Sequence, residues 1–131
     1  MGQPVKRTPL HAWHLSQGAG MADFGGYEMP LWYSSVKNEH LPALTTAGIF
    51  DTSHMASVLV AGQDAFSLLQ NCFTNDLSAC IGPQKKPLFA GRCVYGAFLT
   101  ENGETLDDAI VFQMARDHYM QVVNAGMGAQ V

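Results

Sequence analysis

Charged residues are scarce in this sequence, and the few basic ones are dispersed. Only 14% of the 131 residues are charged, and seven Lys or Arg residues against eleven Asp or Glu residues give a formal net charge of −4. Nucleic-acid binding needs clustered basic side chains to neutralise phosphates. Here the basic residues are scattered from Lys6 to Arg116. We therefore expect no nucleic-acid partner.

Long apolar runs are also missing. A bilayer-spanning helix needs roughly 18 to 20 consecutive apolar residues, and no stretch of this sequence approaches that length. The opening segment, MGQPVKRTPL, contains no apolar core of the kind that a secretory signal carries. We expect no membrane association and a cytoplasmic location.

Cysteine-based and serine-based chemistry have little support in the sequence. Cys72, Cys80 and Cys93 are odd in number and share no CxxC spacing, which favours reduced, buried thiols over a disulfide framework. No ligand pair shows metal spacing, so we expect no metal site, and we interpret His11 and His14 as part of a surface turn. The sequence contains no GxSxG nucleophile elbow. The polar stretch from Asp51 to Met55 is either a set of capping groups or a site.

What the sequence does contain is enough apolar material for a core. Hydrophobic residues make up 47% of the chain, which excludes intrinsic disorder and indicates one globular domain or part of a larger one. Residues 1–33 are rich in glycine, proline and aromatic residues and predict little regular structure. Ser34 or Ser35 is the predicted N-cap of a helix that runs to about Ala47, and Pro42 predicts a kink or two shorter helices. Residues 49–61 are predicted to be extended and residues 64–72 helical.

The second half of the chain predicts three strands, at residues 92–99, 105–112 and 118–125. Asn102 and Gly103 predict a two-residue type I′ turn between the first two strands. That turn places Ala97 opposite Asp108 and Tyr95 opposite Ile110. The loop before the third strand does not fix its register. Five loop residues, 113–117, would place Val122 opposite Asp108 and Asn124 opposite Leu106.

Asp107 and Asp108 are adjacent on the second of these strands. Neighbouring strand residues point to opposite faces, so the pair cannot share a proton as the carboxyl groups of an aspartic protease do. Asp108 has apolar neighbours on its face, which predicts a partly desolvated carboxylate of raised basicity and makes it the leading candidate for a functional residue. The alternative is that both carboxylates merely solvate a strand end or meet a lysine. A register slip of one residue would exchange their faces.

Asn124 ends the third strand, on the same face as Met120 and Val122. Its amide could read the edge of a heterocycle, although an asparagine at a strand end is commonly a turn former.

Four motifs together resemble one family. They are RTPLHAWHLSQGAGMADFGGYEMPLWY near the start, FDTSHM at 50–55, LDDAIV at 106–111 and VVNAG at 122–126. In this order and spacing they resemble the N-terminal part of the glycine cleavage system T-protein, an aminomethyltransferase. The resemblance implies an α+β fold with an antiparallel sheet and helices packed on it, incomplete relative to the three-domain T-protein. Residues 1–55 would then belong to a discontinuous first domain and residues 56–131 to a truncated second one.

The resemblance also implies chemistry. Members of the family pass an aminomethyl group from the lipoyl arm of H-protein to tetrahydrofolate, a co-substrate, and release ammonia. The family's essential aspartate corresponds to Asp108, which is thus the expected catalytic residue. The expected folate-contacting residues are Met55, Tyr95, Asp108, Val122 and Asn124.

The family's other folate-holding residues have no counterpart here, which predicts that this chain alone binds folate weakly or not at all. The expected partners are H-protein and either a second copy or a complementing chain. The alternative function is a non-catalytic module that binds folate or another protein.

Overall fold

The structure, a computed structural model, describes residues 4–127 and divides into two compact units between His54 and Met55. The helices and strands are, in chain order, α1 (His11–Ser16), β1 (Gly20–Phe24), β2 (Tyr27–Trp32), α2 (Val36–Thr45), β3 (Ala56–Ala61), α3 (Ala65–Cys72), β4 (Arg92–Leu99), β5 (Thr105–Ala115) and β6 (His118–Val123). Two antiparallel sheets with accompanying helices confirm the predicted α+β class. The predicted domain ranges begin and end in residues 1–3 and 128–131, which lie outside the described residues.

The first unit contains a hairpin that the composition did not predict. Strands β1 and β2 pair antiparallel and are joined by Gly25 and Gly26, whose φ angles are +59° and +82°. Two consecutive positive φ angles are the signature of a type I′ turn, and glycine adopts them without steric cost. The Asp23 side chain accepts a hydrogen bond from the backbone N–H of Gly26. The expectation of little regular structure before residue 33 was therefore wrong for this segment.

Helix α2 begins as predicted and continues through its proline. Ser35 is the N-cap, and its side chain accepts a hydrogen bond from the Asn38 N–H at 3.2 Å. The helix is one element rather than two, because Pro42 lacks only its own N–H while its carbonyl still accepts from the Thr46 N–H at 2.7 Å. The helix ends at Thr45, two residues before the predicted end.

The second unit is a four-stranded antiparallel sheet in the order β3-β6-β5-β4, with its core on one face. Alternate residues of β5 point into this core, and α3 and the segment after it cover the same face. The core consists of Ala65, Leu69, Phe73, Leu77, Leu88, Val94, Phe98, Ala109, Val111, Tyr119 and Val123. Large apolar side chains on the sheet's other face are exposed: Leu59, Tyr95, Ile110 and Met114.

The β4–β5 hairpin has the predicted register but not the predicted turn. Its loop is three residues long, with the Thr100 N–H bonded to the Glu104 carbonyl and the only positive φ at Gly103. The three-residue loop shifts the strand pairing by one residue relative to a two-residue turn, so that Leu99 pairs with Thr105. A bulge then restores the predicted register, because Leu106 is an extra residue on β5 with no partner on β4. Ala97 therefore still pairs with Asp108, as predicted.

Close approach of an aromatic ring explains the glycine in the middle of β4. A Cβ atom built at Gly96 would lie 2.5 Å from Cζ of Phe73. Phe73 also forms an isolated antiparallel bridge with Phe98, and Thr74 exchanges hydrogen bonds with Ala97. The segment after α3 is thereby fastened along β4, which fixes the strand that carries Tyr95.

Cysteine burial differs from the expectation at one position. Cys72 and Cys80 are half-buried, and burial raises the pKa of the Cys80 thiol, whereas Cys93 is exposed.

Among residues 4–127, no helix has the length and apolar character required to cross a membrane.

Candidate functional site

Asp108 is held by two hydrogen-bond donors from the neighbouring strands. The Tyr95 hydroxyl on β4 donates to Oδ2 of Asp108 at 2.8 Å, and Nδ2 of Asn124, just after β6, donates to Oδ1 at 2.8 Å. Each carboxylate oxygen therefore has one donor and keeps a further lone pair. The three side chains form a polar cluster, the Asp108 cluster, on the exposed face of the sheet.

The environment of Asp108 is the reverse of the predicted one. Its side chain is exposed, and the hydrogen bond from Tyr95, followed by that from Asn124, lowers the pKa of its carboxyl below 3.8. The same bond raises the pKa of the Tyr95 hydroxyl. The predicted rise in basicity was wrong because the side chain is exposed and hydrogen-bonded rather than desolvated. Asp108 is a stable carboxylate at neutral pH.

Asp107 points to the opposite side and is the buried member of the pair. Only 8% of its surface is exposed, and it shares the core-facing side of β5 with Ala109 and Val111. Its Oδ2 accepts the backbone N–H of Asn124 and its Oδ1 accepts the side-chain Nδ2, each at 2.8 Å. Asn124 thus connects the two carboxylates, a role that could not be predicted from the sequence.

The register of β6 differs from the one obtained with a five-residue loop. Arg116 and Asp117 alone form the turn, with Asp117 at φ +57°. This turn alone would pair Val122 with Val111, and a bulge at Met114 on β5 moves the pairing by one residue, so that Val122 pairs with Ile110 rather than with Asp108. The difference of two residues leaves each side chain on its predicted face and brings Asn124 beside Asp108.

The four strands place the predicted site residues in two adjacent rows. In one row, Val122 on β6 pairs with Ile110 on β5, and Ile110 pairs with Tyr95 on β4. In the next row Asn124 lies beside Asp108. Met55 lies at the end of this row, because it directly precedes Ala56 on β3, and Ala56 pairs with Val123, the residue before Asn124. The structure therefore brings Tyr95, Asp108 and Asn124 into contact, and it places Val122 and Met55 at the positions beside them.

A second polar cluster lies in the first unit and contradicts the surface-turn interpretation. His14 is 2% exposed, and its ring bonds to the Tyr33 hydroxyl through Nδ1 at 2.7 Å and to Oδ2 of Asp51 through Nε2 at 2.8 Å. His11 is also buried, with Nε2 at 2.8 Å from Glu28. The hydrogen-bond partners of the two histidine rings lie 17 to 37 residues away in the sequence.

Within the polar stretch from Asp51 to Met55, the residues Asp51, Ser53 and His54 make structural contacts. Asp51 accepts the backbone N–H and the hydroxyl of Ser53, so this serine closes a turn. The His54 ring packs edge-on against Phe24 and Tyr27 at centroid distances of 5.4 and 6.5 Å. No group of three or more metal-ligating side chains occurs within residues 4–127.

Acid should weaken the first unit through Asp51. Burial opposes the charge of its carboxylate, but hydrogen bonds from Ser53 and His14 outweigh burial and lower its pKa from 3.8 to about 2. A carboxyl group whose pKa is lowered by folding stabilises the folded state at pH values above its unfolded-state pKa. This contribution of about 2 kcal/mol to the free energy of unfolding is lost as the pH falls from about 4 to about 2. Urea unfolding followed by tryptophan fluorescence between pH 6 and pH 2 measures the loss.

Asp51→Asn is the matched variant for that measurement. It should be less stable than the parent at pH 6 and should lose less stability on acidification. Glu28 and Glu39 also have lowered pKa values, because His11 bonds to the former and the Ser34 N–H to the latter, so a residual slope is expected. Parallel losses in the parent and the variant would contradict the assignment to Asp51.

Comparison with known proteins agrees with the motifs. Residues 10–131 match the family model described as "GCVT N-terminal domain". The chain is 42% identical over 125 residues to the aminomethyltransferase of Lysinibacillus sphaericus, covering 95% of this chain and 32% of that protein. It is 43% identical over 126 residues to the aminomethyltransferase of Bordetella parapertussis, with 96% and 32% covered.

A solved structure is similar throughout. The crystal structure of the glycine cleavage system aminomethyltransferase T from Bartonella henselae superposes with a TM-score of 0.81 at 35% identity, covering 96% of this chain and 33% of that one. The chain thus spans about a third of the length of the relatives it matches.

Proposed function

This chain belongs to the GCVT N-terminal domain family of aminomethyltransferases, and from that premise we propose that it takes part in tetrahydrofolate-dependent aminomethyl transfer. In the proposed reaction an aminomethyl group on the lipoyl arm of H-protein passes to tetrahydrofolate, and ammonia is released. The observation that carries the proposal is the Asp108 cluster, in which an exposed carboxylate is held by Tyr95 and Asn124. A cytoplasmic location is part of the same proposal.

The chemistry of the cluster suits an electrostatic role. When bound, tetrahydrofolate supplies the amine nitrogens that take up the one-carbon unit. Asp108 keeps its negative charge because two donors stabilise it, so it can accept an N–H and stabilise positive charge that develops beside it. A carboxylate of lowered pKa is a poor general base. We therefore assign Asp108 to orientation and charge stabilisation rather than to proton abstraction.

The side chains beside the cluster suit a flat heterocycle. Ile110 is 38% exposed and Tyr95 is 62% exposed on the same face, and Val122 lies between them and β3. Apolar and aromatic surface next to a few fixed polar groups is the usual lining of a small-molecule site. Met55, at the end of the adjacent row, would add adaptable apolar surface. These residues fit the folate-contacting roles proposed for them.

A second candidate function is a non-catalytic module that binds folate or another chain. The observation that favours it is the amount of apolar side chain left uncovered on the same sheet face, including Leu59 at 77% exposure and Met114 at 58%. Patches of this kind are typical of interaction surfaces. The partner would be a second copy or a complementing chain.

The release of ammonia distinguishes the two functions. The chain is incubated with aminomethylated H-protein, with and without tetrahydrofolate, and ammonia is measured over time. Folate-dependent ammonia release is the expected result for the aminomethyltransferase. Folate binding without ammonia release would instead support the module. If millimolar tetrahydrofolate neither binds nor promotes ammonia release, the result contradicts the aminomethyltransferase and the folate-binding form of the module, and it leaves a module that binds another chain.

A further inference from the structure

Asp107 is a buried side chain whose hydrogen bonds within residues 4–127 all come from one residue. Both oxygens accept from Asn124, Oδ2 from its backbone N–H and Oδ1 from its side-chain Nδ2. Burying a carboxylate is costly unless its oxygens are hydrogen-bonded. A strand that only needed a core residue here would carry an apolar side chain like those of Ala109 and Val111 on the same side of β5.

This pair of bonds determines which way the Asn124 amide faces. Oδ1 of Asp107 accepts from Nδ2 at 2.8 Å, so the NH₂ group of the amide, rather than its carbonyl oxygen, faces Asp107. Nδ2 then has a second proton, and it lies 2.8 Å from Oδ1 of Asp108. The bond that reaches Asp108 therefore depends on the bond that Asp107 makes.

We infer that Asp107 is a positioning residue, which acts through the Asn124 amide to hold the Asp108 carboxylate in its binding orientation. Asp107 lies on the core side of the strand, away from the exposed face. Its effect on folate binding rests on the proposed function, whereas its effect on Asp108 does not. The titratable group that faces Asp108 is Tyr95 on β4, and Asp107 on its own strand is linked to Asp108 through the Asn124 amide.

Asp107→Asn tests the inference with nearly unchanged volume. One acceptor oxygen becomes an NH₂ donor, so one of the two bonds to Asn124 is lost and the amide can turn away from Asp108. Carboxyl ¹³C NMR should then show that the pKa of Asp108 rises toward its ordinary value. The dissociation constant for tetrahydrofolate should increase about tenfold, the loss expected for one hydrogen bond to a charged group. Asp117→Asn, in the β5–β6 turn, is the control and should change neither quantity.

A second variant separates positioning from general stability. In an Asn124→Ala background, Asp107→Asn should cause no further rise in the pKa of Asp108, because the connecting amide is gone. An equal rise in both backgrounds would overturn the inference, and so would an unchanged pKa of Asp108 in a folded Asp107→Asn protein. If that pKa rises as expected but no variant changes folate binding, the positioning role stands and the folate proposal fails.

One measurement needs no variant, in case Asp107→Asn does not fold. The side-chain NH₂ protons of Asn124 should exchange with solvent far more slowly than those of Asn102, an exposed asparagine in the β4–β5 loop. Protection is expected because both protons of Asn124 are bonded to carboxylates. Equal exchange rates at the two side chains would overturn the inference.

Discussion

Replacing Asp108 with asparagine is expected to slow folate-dependent aminomethyl transfer by roughly 10²- to 10³-fold, the range for removing one group that stabilises transition-state charge. The amide keeps the shape of the carboxyl group and one acceptor oxygen. It loses the negative charge and places an NH₂ group beside the donors of Tyr95 or Asn124. The measurement is the initial rate of ammonia release from aminomethylated H-protein with tetrahydrofolate present.

The control for this substitution is Asp117→Asn. Asp117 is in the turn between β5 and β6, and asparagine tolerates its positive φ angle. The control removes the same charge from the same sheet without touching the cluster, and its rate should match that of the parent. An Asp108→Asn protein that retains the parental rate would contradict the role assigned to this carboxylate.

Replacing His14 with alanine is expected to destabilise the first unit by about 3 kcal/mol, in the range for removing a buried side chain and leaving a buried carboxylate without its hydrogen-bond donor. The Asp51 carboxylate loses its Nε2 donor, and the Tyr33 hydroxyl loses its acceptor. Few apolar side chains are available to compensate, since Met29 is the one large apolar residue that is buried among the described residues of this unit.

Tryptophan fluorescence reports this loss selectively. Both tryptophans of the chain, Trp13 and Trp32, belong to the first unit, and Trp13 lies 5.4 Å from the His14 ring. The urea midpoint read by fluorescence should therefore fall in His14→Ala. His40→Ala, an exposed histidine on α2, is the control and should leave the midpoint unchanged. Equal midpoints for His14→Ala and the parent would show that the buried network does not support this unit.

The sequence predicted the main features of the sheet because strand periodicity and glycine turns are local signals. The pairing of Ala97 with Asp108 was right although the turn type was wrong, since the bulge at Leu106 cancels the shift of the longer loop. Such compensation has no signature in composition. The register of β6 could not be predicted locally for a related reason, because Asp117 at positive φ allows a two-residue turn and a bulge at Met114 then moves the pairing by one residue.

The candidate site was predicted in its members but not in its electrostatics. Tyr95 and Asp108 were placed on one face by register alone, and the hydrogen bond between them follows from that placement. The pKa of Asp108 was misjudged because apolar neighbours along a strand do not establish that anything covers them. The same lack of tertiary information concealed the burial of His14, whose partner Asp51 lies 37 residues away.

A titration of the ¹⁵N-labelled chain with tetrahydrofolate, followed residue by residue in amide NMR spectra, tests the proposed folate site most directly. At 14.2 kDa the chain is suitable for such spectra, and the method detects weak binding. The expected result is a saturable shift of the amides of Tyr95, Asp108 and Asn124, with Asp117 unaffected and the shifts reduced in Asp108→Asn. Shifts confined to residues outside the Asp108 cluster, or no shift at millimolar ligand, would contradict the proposal that Asp108 forms part of a folate site.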